Sequence, residues 1–262
     1  MFSNVPKSFW FQFVPVIILG LLTIVLLVTG TIPLFYLIST FIMWILVSGL
    51  GIAVGYHRVF SHKTHSLPVW KENIILFFAT FAAQGASIIW VAVHRGYHHP
   101  YTDKEKDIHS PVVYGILHSF VGWQYNNTQV NVKYAVDLLR KPNHVWFHKH
   151  QLKVLWGVPL VVALFNWQLA LTAFCLVSFI GVLQDNLINV LGHLKGIIGY
   201  RNYATKDNSY NNIILGYLAW GHGWHNNHHH TPAAYDFGTG ISGKWWEWDP
   251  CNIFKPFLKS FN

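Results

Sequence analysis

FVPVIILGLLTIVLLVTG, Phe13 to Gly30, runs directly into TIPLFYLISTFIMWILVSGLGIAVGY, Thr31 to Tyr56, and neither stretch contains a charged residue. Each is long enough to form a helix across a hydrocarbon core, which needs ~20 apolar residues. Gly30, Thr31 and Pro33 interrupt the pattern between them, so the pair reads as a transmembrane hairpin. The first stretch is longer than the apolar region of a signal peptide and leads into a second span rather than a small-residue cleavage site. It therefore reads as a retained anchor.

The rest of the chain fits that solvent. It is 52% hydrophobic and 11% charged, against about 25% charged residues in soluble domains, which excludes an ordinary soluble domain. Two further apolar runs, Val154 to Phe165 and Leu169 to Leu191, are separated only by Asn166, Trp167 and Gln168. The expectation is an all-α polytopic membrane protein with four transmembrane helices, at about 13–30, 33–56, 153–167 and 169–191, under a helical cap of residues 57–152 and 192–262. With no internal repeat, low-complexity tract or flexible linker, residues 1–262 read as a single domain. All Lys and Arg except Lys7 follow the second span, and none lies in either turn. The positive-inside rule then places both termini and the cap in the cytoplasm. The net charge of +8 belongs to that face, where it suits anionic headgroups or an acidic electron carrier.

Histidine decides the chemistry. His57 and His62, then His94, His98 and His99, then His225, His228 and His229 form three clusters whose spacing lets imidazoles converge. Imidazole suits iron, zinc, copper or nickel. Only two cysteines, Cys175 and Cys251, argue against thiolate zinc sites and iron–sulfur clusters. Asn73 to Val93 is apolar enough to pass for another span, yet a crossing there would strand the second cluster on the opposite side of the bilayer. Gln84, Gly85, Ser87 and Trp90 suit a segment that lies along the interface or re-enters.

The runs GYHRVFSHKTH (Gly55 to His65), WVAVHRGYHH with DIHSP (Trp90 to Pro111) and GHGWHNNHH (Gly221 to His229) resemble the three histidine boxes of the membrane fatty acyl desaturases, the stearoyl-CoA and acyl-lipid type. SFVGW (Ser119 to Trp123) and NVLGH (Asn189 to His193) with Gly199-Tyr200-Arg201 extend the likeness over roughly Pro33 to Asp249. The resemblance implies a non-haem di-iron centre, two Fe ions cycling between Fe2+ and Fe3+, with O2 as co-substrate. It makes His57, His62, His94, His98, His99, His193, His225, His228 and His229 the ligands, with Asn189 reaching one iron through water. One departure concerns His94: the family's second box reads HxxHH, and here Arg95, Gly96 and Tyr97 give HxxxHH. His230 has no family counterpart and is left out.

The implied reaction removes two hydrogens from adjacent methylenes of a long-chain acyl group and leaves a cis double bond, at a delta-9-like position. No catalytic residue beyond the metal ligands is required, because the metal supplies the oxidising power and the protein supplies position. Trp123 is a candidate wall of the acyl tunnel. Asp103, Asp107 and Asp185 are candidates to accept a hydrogen bond from the outer nitrogen of a ligating imidazole. His65, His109, His118, His144, His148, His150 and His222 read as solvated or hydrogen-bonded bystanders. The chain has no Rossmann glycine pattern, haem-attachment motif or iron–sulfur cysteine set. Electrons are therefore expected from a separate ferredoxin, rubredoxin or small haem cytochrome, and the acyl substrate from CoA, acyl carrier protein or lipid; no nucleic-acid partner is expected. The alternatives are a related membrane hydroxylase or acetylenase and, in another class, a histidine-rich metal transporter, which would line its spans with ligands.

Overall fold

A computed structural model describes residues 9–125, 129–195 and 198–259. Among the described residues all regular structure is helical, apart from isolated bridges joining Tyr200 to Asn211 and Asn211 to Trp224. Helices satisfy every backbone group within the segment, which is what an apolar solvent demands.

Among the described residues, three helices are long and apolar enough to cross a membrane: α1, Trp10–Val28; α2, Leu34–Ser61; and Trp167–Leu191, numbered α8 below. Between α2 and α8 come α3 (Val69–Thr80), α4 (Ser87–Val93), α5 (Pro111–Tyr114), α6 (Ile116–Phe120) and α7 (Pro142–Phe165). After α8 come α9 (Ile213–Leu218) and α10 (His225–His230). The expected third span forms only the C-terminal half of α7. Its first turns, HVWFHKHQLK, carry histidines and lysines, so α7 as a whole is not among the three apolar helices although it has 24 residues.

The turns closing the two helical pairs lie side by side. Asn166 Nδ2 donates to the Tyr36 hydroxyl at 2.8 Å, Gln168 Nε2 to the Thr31 carbonyl at 3.4 Å, and Thr40 Oγ1 to the Thr172 carbonyl at 2.9 Å. The histidines gather at the opposite ends of α2 and α8.

Asn73 to Val93 is not one helix. It breaks at Phe81–Ala86, where Ala83 and Gly85 take positive φ. At 1.5 Å per residue, α3 and α4 are about 18 and 10 Å long, each well short of a ~30 Å hydrocarbon core. The break is held by Gln12 Nε2 donating to the Ala83 carbonyl at 2.6 Å and Ser178 Oγ to the Phe81 carbonyl at 2.5 Å. Glycines bring α3 onto α2: a Cβ on Gly51 would lie 2.7 Å from Ala79 Cα, and one on Gly55 would collide with Ile75 Cγ2. The fold therefore returns the chain to the histidine end before His94.

Candidate metal centre

The first two clusters are built on π-helical backbone. Residues Ile45–Ser61 of α2 close hydrogen bonds from i to i+5, and His62 N–H continues the pattern to the His57 carbonyl at 3.1 Å. One such turn separates His57 from His62. A second π turn, His94–His98, carries the His99 N–H back to the His94 carbonyl. The extra residue in HRGYHH is taken up by that wider turn, a device found chiefly at functional sites. The third cluster lies on α10, where the Asn211 side-chain oxygen accepts from the N–H groups of Asn226 and Asn227 at 2.9 and 3.1 Å.

The nine histidines named from the sequence come together in two groups. His57, His62, His94, His99 and His228 form the first and His98, His193, His225 and His229 the second; within each group the ring nitrogens lie within 4.8 Å of one another. Nε2 atoms face each other directly, His57 to His228 at 3.0 Å, His99 to His228 at 3.0 Å, His62 to His94 at 2.9 Å and His193 to His225 at 2.8 Å. Two nitrogens bound at right angles to one cation at about 2.1 Å would be about 3.0 Å apart. The donor set therefore suits a metal ion in each group.

Burial holds most of these rings neutral. It is the largest cause bringing His62 down to about 3 and His229 to about 4, and it keeps His94, His99, His225 and His228 well below the usual imidazole value. His98 goes the other way: burial opposes its charge, but Asp107, joined by Asp103 and Asp207, raises it. Asp107 Oδ2 lies 3.2 Å from His98 Nδ1, and Asp207 Oδ2 3.0 Å from His229 Nδ1. Asp103 Oδ1 is 3.4 Å from His193 Nδ1, close but poorly aligned for a hydrogen bond. Despite burial, their histidine partners hold Asp103, Asp107 and Asp207 below the usual carboxylate range. Among the described residues Asp185 makes no hydrogen bond or ion pair with an imidazole. Its partner is the Trp90 side chain, and it lines a cavity of about 70 Å³ together with His57, His98, Asn189, His222 and His225. The expected tunnel residue Trp123 is not a wall of this cavity; it stands behind His109, with ring centroids 5.5 Å apart.

The bystanders divide. His148 is exposed, His150 stacks on Trp146 and His230 on Tyr203. His144 is no surface residue: it is fully buried, 2.9 Å from Ser87 Oγ and 3.5 Å from Glu72 Oε2. His109 joins Asp107 and His98 in a third small group, and His222 packs its ring 4.7 Å from His57 with a buried, unpartnered Nε2.

Sequence reasoning missed the supports. Asp207 sits in a polar loop with no spacing relation to the boxes. Glu247 and Asp249, both wholly buried, each hold one box: Glu247 accepts from Asn227 at 2.7 Å, and Asp249 pairs at 2.7 Å with Arg58, the neighbour of His57. A tract dense in tryptophan and carboxylate, WWEWD from Trp245, was the available signal.

The family model for fatty acid desaturases matches residues 31–237. The chain belongs to the fatty acid desaturase family, a family of oxidoreductases. It is 32% identical to delta-9 acyl-lipid desaturase 2 of Arabidopsis thaliana, over 78% of this chain and 65% of that protein. It is 31% identical to the sn-2 palmitoyl-lipid 9-desaturase of Nostoc sp. (strain 36), over 80% and 73%. To the chloroplastic palmitoyl-monogalactosyldiacylglycerol delta-7 desaturase of A. thaliana it is 31% identical, over 83% and 58%. The chain thus spans about two thirds or less of the length of these two Arabidopsis relatives.

Proposed function

We propose that the chain is an O2-dependent fatty acyl desaturase that forms a cis double bond in a long-chain acyl group carried by a membrane lipid. The carrying observation is the convergence of nine box histidines into two groups of facing Nε2 atoms. The reaction consumes a CH2–CH2 pair, O2, two electrons and two protons, and releases the alkene with two waters. Two iron ions held by the groups supply the oxidising power that an unactivated methylene requires.

The chain's own residues do the positioning. Asp107 and Asp207, at Nδ1, turn the Nε2 atoms of His98 and His229 toward the centre; Asp103 sits where it does the same for His193. Asn189 shares the cavity wall with His98 and His225, a placement that suits contact with the second group through water. Lipid as the acyl carrier is supported by the acyl-lipid and palmitoyl-lipid names of the relatives. Delta-9 selectivity is the leading position, with a delta-7 enzyme at similar identity as the alternative.

For topology we propose four crossings in one domain, with α7 as the third, and both termini and the histidines on the cytoplasmic side. The adjacent turns at Thr31 and Gln168 and the broken Asn73–Val93 segment support it. The Lys- and Arg-bearing face suits an external ferredoxin, rubredoxin or small haem cytochrome.

Expression in a host that lacks unsaturated fatty acids, followed by mass spectrometry that locates the double bond, tests the reading. A new cis-monoenoic acyl chain in membrane lipid is expected. A hydroxylated or acetylenic product, or no product from iron-loaded protein supplied with reductant and O2, rules it out.

A further inference from the structure

Three short helices outside the spans present largely aliphatic faces to the exterior. In α5 and α6, Val112, Val113, Tyr114, Ile116 and Leu117 are exposed, Leu117 at 75%. In α9, Ile213, Ile214, Tyr217 and Leu218 are exposed, Ile214 at 55%. Their inner faces are well anchored. Ser119 Oγ donates to the His109 carbonyl at 2.6 Å, Leu215 is buried, and Gly216 lies against the Trp224 indole. The outward apolar residues are therefore held there by the fold rather than by fraying of the helices.

None of the three bears Asp, Glu, Lys or Arg: α5 and α6 with the glycine between them read PVVYGILHSF, and α9 reads IILGYL. A water-facing helix ordinarily carries charged residues on its outer face, and soluble surfaces rarely expose contiguous aliphatic patches of this kind. α6 and α9 pack on α8, a helix apolar enough to cross a membrane, and α5 packs on α6; the Gln184 side chain within α8 donates to the Leu218 carbonyl. Their exposed faces thus continue the lipid-facing surface of a span.

We propose that α5–α6 and α9 are seated in the bilayer leaflet on the histidine side, so that the cap is not wholly aqueous and its rim beside α8 lies at acyl-chain depth. This rests on α8 being a membrane span. The occupant is the leaflet itself, because the patches adjoin α8 and carry aliphatic side chains beside two tyrosines, Tyr114 and Tyr217, whose hydroxyls donate to the Glu105 and Trp246 carbonyls. Ile188 and Asn189, on the same α8, line the cavity beside the histidines. A lipid-borne acyl chain then approaches the centre from within the leaflet.

The test places nitroxide labels at Leu117→Cys, Ile214→Cys and Leu218→Cys in the full-length protein, reconstituted in phosphatidylcholine–phosphatidylglycerol vesicles. Cys175 and Cys251 stay, since both are buried. Leu164→Cys, at an 82% exposed span position, is the lipid reference, and Lys206→Cys the aqueous one. Power-saturation spectra should show the three labels relaxed by O2 and shielded from a water-soluble nickel chelate, as at Leu164. Labels on either helix that behave like Lys206 overturn the proposal. The unmodified protein provides the second measurement: photoactivatable phosphatidylcholine should cross-link within 111–120 and 213–218, and absence of adducts there beside adducts in α8 also overturns it. Neither readout depends on catalysis, so aqueous labels on an active desaturase reject the seating and leave the proposed function standing.

Discussion

The two histidine groups are chemically unlike. Behind the second stand three carboxylates, Asp103, Asp107 and Asp207, each within 3.4 Å of an imidazole nitrogen. Behind the first, among the described residues, stands no carboxylate at ion-pair distance; His57 Nδ1 and His228 Nδ1 are buried without partners, and Arg58 and Arg95 add positive potential at His62. A carboxylate on the outer nitrogen raises ligand basicity and offsets cationic charge. In the proposed centre the second group would therefore hold a cation the more tightly, and the first with weaker electrostatic support.

The largest expected effect is on the ligands. His228→Ala, which removes the nitrogen facing both His57 and His99, should abolish desaturation and empty the first group; His193→Ala should empty the second. Metal analysis of purified protein should fall from about two ions per chain toward one in each case. Equal metal content in variant and parent would break the assignment of groups.

Next come the carboxylates. Asp107→Asn or Asp207→Asn should weaken metal retention by about 10–100-fold, in the second group only. Competition with a chelator, followed by spectroscopy of the remaining ion, separates the two. Loss confined to the first group would invert the comparison.

Acidity sharpens it further. Rings held neutral by burial, such as His62 near 3, have folded values below the ~6.5 of an unfolded chain. Their contribution to stability is present above pH ~6.5 and is lost as pH falls toward ~3. His98, raised by Asp107, has the opposite sign: its contribution is complete below ~6.5 and fades as pH rises through its folded value. Metal-free protein in detergent should therefore melt at lower temperature at pH 5 than at pH 7.5. A flat profile would show that the neutral rings do not dominate.

The smallest effects fall on the bystanders. His148→Ala and His150→Ala should change stability by less than about 0.5 kcal/mol with activity intact. His144→Ala should cost about 1–3 kcal/mol, since Ser87 and Glu72 lose a buried partner. Thermal denaturation of the three variants in parallel checks the order.

Much of this was legible in the chain itself. The uncharged run from Phe13 to Tyr56 and the run from Leu169 to Leu191, charged at Asp185 alone, declare membrane helices because burying a charge in hydrocarbon is costly, and three histidine clusters declare a metal site because imidazoles at those spacings converge. Hydropathy could not decide Asn73–Val93, since that stretch bears no charge and only the positive-φ break at Ala83 and Gly85 parts the end of α3 from α4. Nor could spacing explain His94, because the π turn that widens to admit Tyr97 is a backbone state without a side-chain signature. Which histidine joins which group, and which carboxylates stand behind them, depends on contacts between residues as far apart as His57 and His228. Such contacts are decided by packing in three dimensions, where α2, α8 and the loop bearing Asp207 meet; one-dimensional order carries the ligands but not their partners.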